Sequence, residues 1–546
     1  LALAPQVDPA RVYYALLQLE KNGHLREATP QVPAHLAALW DELGRDPAAA
    51  QQALEATRLC LHATAGAPGV QVLRAALQAV GFAGVMSYVE PMEPDGDGLL
   101  DPHALHVVLT HDYLDDALAV FNRRARAVGA SWLPVRLGGP EVWAGPLYAG
   151  EARPCHACLA RRLRRNRLAH TFLAETQAGG AMPRTARAAH PALLNMGAHW
   201  VAMELLRTVG ANAVRLHERV LSVDHLSGQM AEHRLLAHPA CPDCGGVPAP
   251  RDPRVTLQSR HVAFSADGGH RIVSPDITLQ KYRHHISPIT GVVRGLTDMT
   301  PDGSVARVFA AGHNPVLRVT KLAELKAGLR SGSSGKGVST TQAQVSALCE
   351  AIERYSGEWH GDPGRITLSW NGMRERFGAD AIHPNAVMNF SEAQYAGREA
   401  QNARGSRFNF VPEPLPDDTP VDWTALWSLT HERVKYLPTQ LVSFHAPARE
   451  GDKTRYCHGC SNGNASGNTL EEAILQGFFE LVERDAVALW WYNRLRRPAI
   501  DLRSLDDGHL PVLMDEYRRT GRECWALDLS SDLGIPVVVA LSRATG

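Results

Sequence analysis

Little in this chain is one-sided. Its 56 lysines and arginines nearly cancel 57 aspartates and glutamates, leaving a net charge of −1. That excludes the broad basic surface that a general nucleic-acid binder needs. No apolar run reaches the length of a membrane-spanning helix. The first residues, Leu1-Ala-Leu-Ala-Pro5, are too short and carry no basic region for a signal peptide. They also lack an initiator Met, so a fragment or an incomplete start is expected; the end breaks off just after a candidate strand, so more protein is expected beyond Gly546. Cysteine is scarce: nine residues, an odd number, in a chain with no secretory signal. Reduced, cytoplasmic thiols are expected rather than a disulfide framework. What remains is a soluble globular composition, 45% hydrophobic and 21% charged, over 546 residues, enough for two to four domains.

Asp8-Pro9 reads as an N-cap followed by proline at the first helical position. Val12, Leu16 and Leu19 are spaced for one buried face, and Asn22-Gly23 ends the helix. His24–Glu27 is a possible strand and Pro33–Leu43 a second helix. This is either a small winged-helix-like unit or a plain helical appendage. From about Arg58 the pattern alternates: strands at Leu59–His62, Leu105–Leu109 and Trp132–Arg136, helices at Val70–Val80 and Tyr113–Val128. Such alternation predicts a Rossmann-like sheet. No Gly-x-Gly-x-x-Gly follows any of these strands, which argues against a dinucleotide site.

Cys155-x-x-Cys158 and Cys241-x-x-Cys244 are two matched knuckles that can close a tetrahedral four-cysteine zinc site, structural because no position stays open to water. Redox cysteines or isolated buried thiols are the weaker alternatives. Arg161–Arg167 holds five arginines and reads as a solvated helix face, with an acidic ligand or nucleic acid as the alternative. Cys457-x-x-Cys460 has no partner knuckle nearby and is assigned to chance or local packing, with metal binding the minor alternative. His270–Gly303 reads as a boundary, and Asp362–Thr439, rich in Pro, Asn and Asp, as strands and loops connecting two halves. The closing stretch from Pro536 reads as a buried strand.

The most informative pattern occurs twice. In Ser461–Arg494 a polar glycine-containing loop leads to Thr469 and Glu472, a capping-box pair. In the helix that follows, Gln476, Glu480 and Glu483 fall within roughly 60° of one another. Ile474, Phe478 and Leu481 are expected on the buried side, and Trp490-Trp491-Tyr492 in the core. Earlier, the loop Ser331–Gly337 with Lys336 precedes Ser346, Glu350, Glu353 and Arg354, with Leu348, Ala351, Ile352 and Tyr355 as the apolar side. Four carboxylates facing one space repel unless cations lie between them. Mg2+ takes oxygen ligands and keeps phosphate oxygens as partners, and glycine loops at helix starts offer N–H groups to phosphates. The bland alternative is two amphipathic helices with solvated charges; the repetition favours a Mg-nucleotide site.

These two motifs, Gly335-Lys-Gly…Ser346-xxx-Glu350-xx-Glu353-Arg354 and Asn464-Ala-Ser-Gly-Asn-Thr…Gln476-xxx-Glu480-xx-Glu483-Arg484-Asp485, resemble the YcaO family over about residues 280–546, with the family's carboxy-terminal part missing. Ile286–Val293 resembles the first strand of that domain. Leu109-Thr-His-Asp-Tyr-Leu, Trp132-Leu-Pro-Val, Trp143-Ala-Gly-Pro and Pro154-Cys-His-Ala-Cys-Leu resemble the ThiF-like, ubiquitin-activating-type scaffold that accompanies peptide cyclodehydratases. The resemblance implies an α/β and α+β multidomain protein: a winged-helix-like leader-recognition remnant (1–57), a ThiF-like scaffold with the four-cysteine zinc site (58–268) and an incomplete YcaO catalytic domain (269–546). It implies cyclodehydration of Cys, Ser or Thr residues in a ribosomally made precursor peptide, with ATP phosphorylating the amide oxygen and a thiazoline or oxazoline as product. Thioamide or amidine formation, a non-catalytic peptide scaffold, and adenylation by the ThiF-like domain are the alternatives. Lys336, Ser346, Glu350, Glu353, Gln476, Glu480, Glu483 and Arg484 would bind ATP and Mg2+, with Arg354 a ligand or a salt-bridge partner. Cys155, Cys158, Cys241 and Cys244 would hold Zn2+. No catalytic base is assigned. The implied partners are the precursor peptide through its leader, a flavin-dependent azoline dehydrogenase and a second copy in a homodimer, with no nucleic acid and no membrane.

Overall fold

The computed structural model describes residues 8–25, 32–88, 100–176, 188–245, 252–265, 267, 269–312, 322–329, 332–361, 364–406, 409–446 and 454–546. The chain divides into two compact units: residues 1–156 with 185–232, and residues 157–184 with 233–546. No helix among the described residues is long and apolar enough to cross a membrane.

The first unit is built on a mixed seven-stranded sheet. Its strands are β1 (Arg58–Ala63), β2 (Gly84–Tyr88), β3 (Leu105–Leu109), β4 (Ser131–Arg136), β5 (Glu141–Ala144), β6 (Arg219–Asp224) and β7 (Met230–Arg234), in the order β2-β1-β3-β4-β5-β6-β7. The first four run parallel, with Leu61, Val107 and Leu133 in register. β5 is antiparallel to β4 and to β6. The parallel strands read as continuous apolar runs because helices cover their faces. Helices Val70–Ala79 and Pro191–Gly210 bury Leu73, Leu77, Val201 and Leu205 into the core formed with Leu59, Leu61 and Val135. The strand and helix positions read from the sequence are found here, although the helix expected from Tyr113 begins at Asp116, after its N-cap Asp115.

The amino-terminal helix Pro9–Lys21 starts at the Asp8 cap and ends at Asn22-Gly23, as expected. Its apolar face is not buried: Leu16 and Leu19 are exposed. The helix Ala34–Glu42 follows, flanked by Pro33 and Leu43. The strand expected at His24–Glu27 has only its first two residues among those described, and neither lies in a strand.

The second unit holds the hairpin β8 (Ala263–Ser265) with β9 (Gly269–Arg271) and three small antiparallel sheets. These are β10 (Leu296–Asp298), β11 (Arg307–Ala311) and β12 (Ser333–Gly337); β13 (Arg365–Leu368), β14 (Val421–Ser428) and β15 (Arg433–Pro438); and β16 (Ala499–Ile500), β17 (Arg522–Asp528) and β18 (Val538–Ala544). The first glutamate helix, Thr340–Ser356, is capped by Ser339, whose hydroxyl accepts the Gln342 N–H. It lays Ala343, Ala347, Leu348 and Ala351 against Phe309 and Ala311 of β11. The second, Leu470–Tyr492, buries Gly477, Val482 and Ala486, the last two against Leu529 and Val537.

Five expectations are corrected here. Residues 333–337 are a strand paired with β11 instead of a flexible loop. Gly335 is there for packing: a Cβ on it would lie 2.1 Å from the Ala343 carbonyl oxygen and 2.1 Å from the Ala347 nitrogen. Ile286–Val293 is a turn closed by a single bridge between its ends, with the Ser287 hydroxyl accepting the Ile289 and Thr290 N–H groups. Phe478 and Leu481 are about half exposed, and Trp491 and Tyr492 are more so; Trp490 alone of the aromatic triplet joins the core. β18 is not a buried strand, since its residues alternate between half-buried and exposed. The arginine run is not a solvated face, because Arg165 pairs with the buried Glu358.

Candidate active site

The two glutamate helices lie within the second unit, and both line one cavity of about 530 Å³. From the first helix come Gln342, Ser346, Cys349, Glu350, Glu353 and Arg354; from the second, Glu472, Gln476, Glu480 and Arg484. The loop Ser461–Asn468 closes one side, and Arg271, Thr278 and Tyr282 another. The loop lies close on the helix because residue 477 is glycine: a Cβ there would meet the Gly463 carbonyl oxygen at 2.5 Å.

The carboxylates are held by backbone N–H groups and arginines. Glu353 accepts the Ser466 N–H at 3.1 Å, and Glu480 accepts the Gly463 N–H at 3.0 Å. Glu350 accepts the Ser334 N–H at 3.1 Å and pairs with Arg354 at 2.8 Å; Glu480 pairs with Arg484 at 3.3 Å. Burial pushes the Glu353 carboxyl up to about 7, with the charge of Glu480 adding to it and the Ser466 N–H opposing it. Burial, with Glu353 and Glu472 nearby, likewise pushes the Cys349 thiol up to about 11. These groups do not converge on a point as a closed metal cage would. An ion held there needs phosphate oxygens to complete its shell, which suits Mg2+.

Of the residues the sequence singled out for the nucleotide, Ser346, Glu350, Glu353, Gln476, Glu480 and Arg484 are therefore brought together. Lys336 is exposed on β12 and Glu483 is exposed beside Arg484 at 3.4 Å; neither lines the cavity. A carboxylate that sequence reasoning passed over does: Glu472. Its N–H bonds to Thr469 as a capping box requires, but its side chain faces Arg271 at 3.3 Å and is only 8% exposed. Its Oε2 has no hydrogen-bond partner. A buried carboxylate oxygen left without a donor is costly unless a cation or proton meets it. Its spacing, four residues before Gln476 and eight before Glu480, was the available signal.

The four cysteines form a second, separate cluster. Cys155, Cys158, Cys241 and Cys244 are buried, and their Sγ atoms all lie within 4.8 Å of one another. The Sγ atoms of Cys158 and Cys244 are 3.5 Å apart, and none of the four forms a disulfide. Four sulfurs at the Zn–S distance around one ion stand about 3.8 Å apart, so the donor set fits a metal such as zinc. Cys457 is buried and Cys460 exposed, and neither belongs to a metal-binding group among the described residues.

Residues 334–546 match the family of YcaO cyclodehydratases, which is ATP- and Mg2+-binding. A heterocyclase solved in complex with substrate and cofactor is 36% identical to this chain, with a TM-score of 0.84, over 100% of this chain and 71% of that one. The chain belongs to the YcaO heterocyclase family. A second member, the heterocyclase TruD, is 33% identical with a TM-score of 0.71, over 100% of this chain and 70% of its own. An uncharacterised protein of Methanothermobacter thermautotrophicus is 27% identical over 274 residues, and one from the tfuA 3' region of Rhizobium leguminosarum bv. trifolii is 28% identical over 213. The matches span 61% and 44% of those two relatives, so the chain covers about half the length of its curated relatives. YcaO membership accounts for the repeated glutamate motif, and residues 334–546 contain both copies.

Proposed function

We propose that this chain acts in the ATP-dependent cyclodehydration of Cys, Ser or Thr residues in a ribosomally made precursor peptide. One observation carries the reading: motif residues from two helices, and from the loop before the second whose Ser466 lies 113 positions beyond Glu353, line one cavity rich in carboxylates and arginines. A hydroxyl or thiol adding to the preceding carbonyl leaves an oxygen that is a poor leaving group. Phosphorylation by ATP makes it a good one, and loss of phosphate and a proton completes the thiazoline or oxazoline. Glu350, Glu353, Glu472 and Glu480 hold the cation, Ser346 and Gln476 touch the nucleotide or its ion, and Arg484 offers charge to phosphate. Lys336 and Glu483 keep a place in this set from the motif alone.

The finer architecture belongs to the same reading: residues 1–57 as a leader-recognition remnant, 58–268 as a ThiF-like scaffold and 269–546 as the catalytic domain. The four cysteines would hold a structural Zn2+, whose chemistry there is to cross-link the start of the helix His156–Asn166 to the segment that carries Cys241 and Cys244. A leader-bearing peptide, a flavin-dependent azoline dehydrogenase and a second copy are the proposed partners. The test is incubation with Mg-ATP and a Cys- and Ser-containing precursor peptide, following peptide mass and nucleotide together. Loss of the mass of one water per ring, matched by ADP and phosphate, supports cyclodehydration. AMP as product points to adenylation, and no ATP consumption with any peptide points to a binding scaffold.

A further inference from the structure

On the far side of the first glutamate helix, its last turn is tied to the cysteine cluster by a run of directed hydrogen bonds within the second unit. The His238 N–H donates to Cys158 Sγ at 3.3 Å. The Ala240 N–H donates to His238 Nδ1 at 3.1 Å, so that nitrogen is the acceptor and Nε2 carries the proton. His238 Nε2 then meets His360 Nδ1 at 3.3 Å, and His360 Nε2 meets the Tyr355 carbonyl oxygen at 2.7 Å. A carbonyl only accepts, so His360 donates to it and accepts from His238. Every link has one consistent direction, with both imidazoles neutral.

The Tyr355 carbonyl lies in the last turn of the helix, where it also accepts the Glu358 N–H at 3.2 Å, so His360 is a second donor to it. The same residue is gripped a second way. Arg162 donates to its hydroxyl at 2.7 Å with the guanidinium over its ring, and Arg165 forms the ion pair with Glu358 at 2.6 Å. Both arginines lie on the helix His156–Asn166, which carries Cys158. Cys158 therefore reaches Tyr355 by two routes, one through its own helix and one through two histidines. Tyr355 directly follows Arg354 and lies two residues beyond Glu353, both of which line the cavity.

We infer that His238, His360 and Tyr355 are positioning residues through which the four-cysteine cluster sets the end of the first glutamate helix for Mg-ATP. None of the three lines the cavity, so they act through Glu353 and Arg354. The inference rests on the cavity being the nucleotide site. It gives the cysteine cluster a role in substrate affinity in addition to holding two chain segments together.

The experiment uses this 546-residue chain carrying its metal, with His360→Leu and His360→Gln compared to the parent. Glutamine keeps one acceptor and one donor at nearly the imidazole spacing; leucine keeps neither. Mg-ATP affinity is read by calorimetry, metal content by atomic emission and amide exchange over residues 352–357 by mass spectrometry. The expected result is metal retained in both variants, Mg-ATP bound ~10-fold more weakly by the leucine variant with faster exchange at the helix end, and return to within ~2-fold with glutamine, as the loss of about one hydrogen bond predicts. Parent-like affinity in a metal-loaded His360→Leu protein overturns the inference and leaves the nucleotide site standing. No Mg-ATP binding by the parent overturns both. If His360→Leu does not fold, Tyr355→Phe, which removes only the acceptor of Arg162, is read by the same criterion.

Discussion

Glu353 makes the binding of Mg-ATP depend on pH in a way that can be isolated. Its carboxyl is pushed up to about 7 because it is buried and faces Glu480, against the help of the Ser466 N–H. A carboxyl bound to a cation has lost its proton, so proton and metal compete. With a free-state value near 7, the fraction ionised is roughly 0.1 at pH 6 and roughly 0.9 at pH 8, and affinity rises by about tenfold across that interval. At pH 7 binding releases about half a proton from this group. The sign is opposite for the protein alone. A carboxyl whose folded value lies above its unfolded 4.5 holds more protons when folded, so its contribution to stability falls as pH rises from 4.5 to 7. The nucleotide titrates in the same range, and the control is Glu353→Gln, which shares that background. Calorimetry in buffers of different ionisation enthalpy measures proton release directly. The wild type should exceed Glu353→Gln by about half a proton at pH 7, and its affinity should climb more steeply between pH 6 and 8. Identical proton release in the two proteins would refute the argument, whatever their absolute affinities.

Three further outcomes are expected. Glu350→Ala removes the acceptor of the Ser334 N–H and the partner of Arg354 and should lower ATP turnover by about 100-fold or more with the circular dichroism spectrum retained; turnover within about threefold of the parent counts against the site. Cys155→Ser or Cys241→Ser breaks a closed thiolate shell, and atomic emission should find less metal and thermal unfolding a lower Tm; full metal content removes the cluster as a zinc site. Gly335→Ala puts a methyl group into the backbone of the first glutamate helix and should cost about 3 kcal/mol in chemical denaturation; a change below about 0.5 kcal/mol would show that β12 does not pack as described.

Much of this molecule is determined by local sequence, for local reasons. The Asp8 and Thr469 caps, the strands at Leu59, Leu105 and Trp132, and both glutamate helices follow from side chains a few residues apart. Two knuckles of matched spacing were enough to expect the cysteine cluster. Helical periodicity likewise placed Ser346, Glu350 and Glu353 on one face, and Gln476 and Glu480 on another.

Tertiary structure decided which of those faces meet, and where. Glu472 and Glu483 share the direction of Gln476, but a helix advances about 1.5 Å per residue, so their side chains stand ~16 Å apart along it. Glu472 reaches the cavity and Glu483 does not. Glycine and serine at 332–337 read alike for a loop and for a strand whose neighbour comes too close for a side chain; only the 2.1 Å approach to Ala343 and Ala347 distinguishes them. Arg165 and Glu358 lie 193 residues apart, and nothing local marks either as a partner in a buried pair. Spacing along the chain determines the face of an element, while the distance across the cavity or core is determined by contacts between segments that no local pattern encodes.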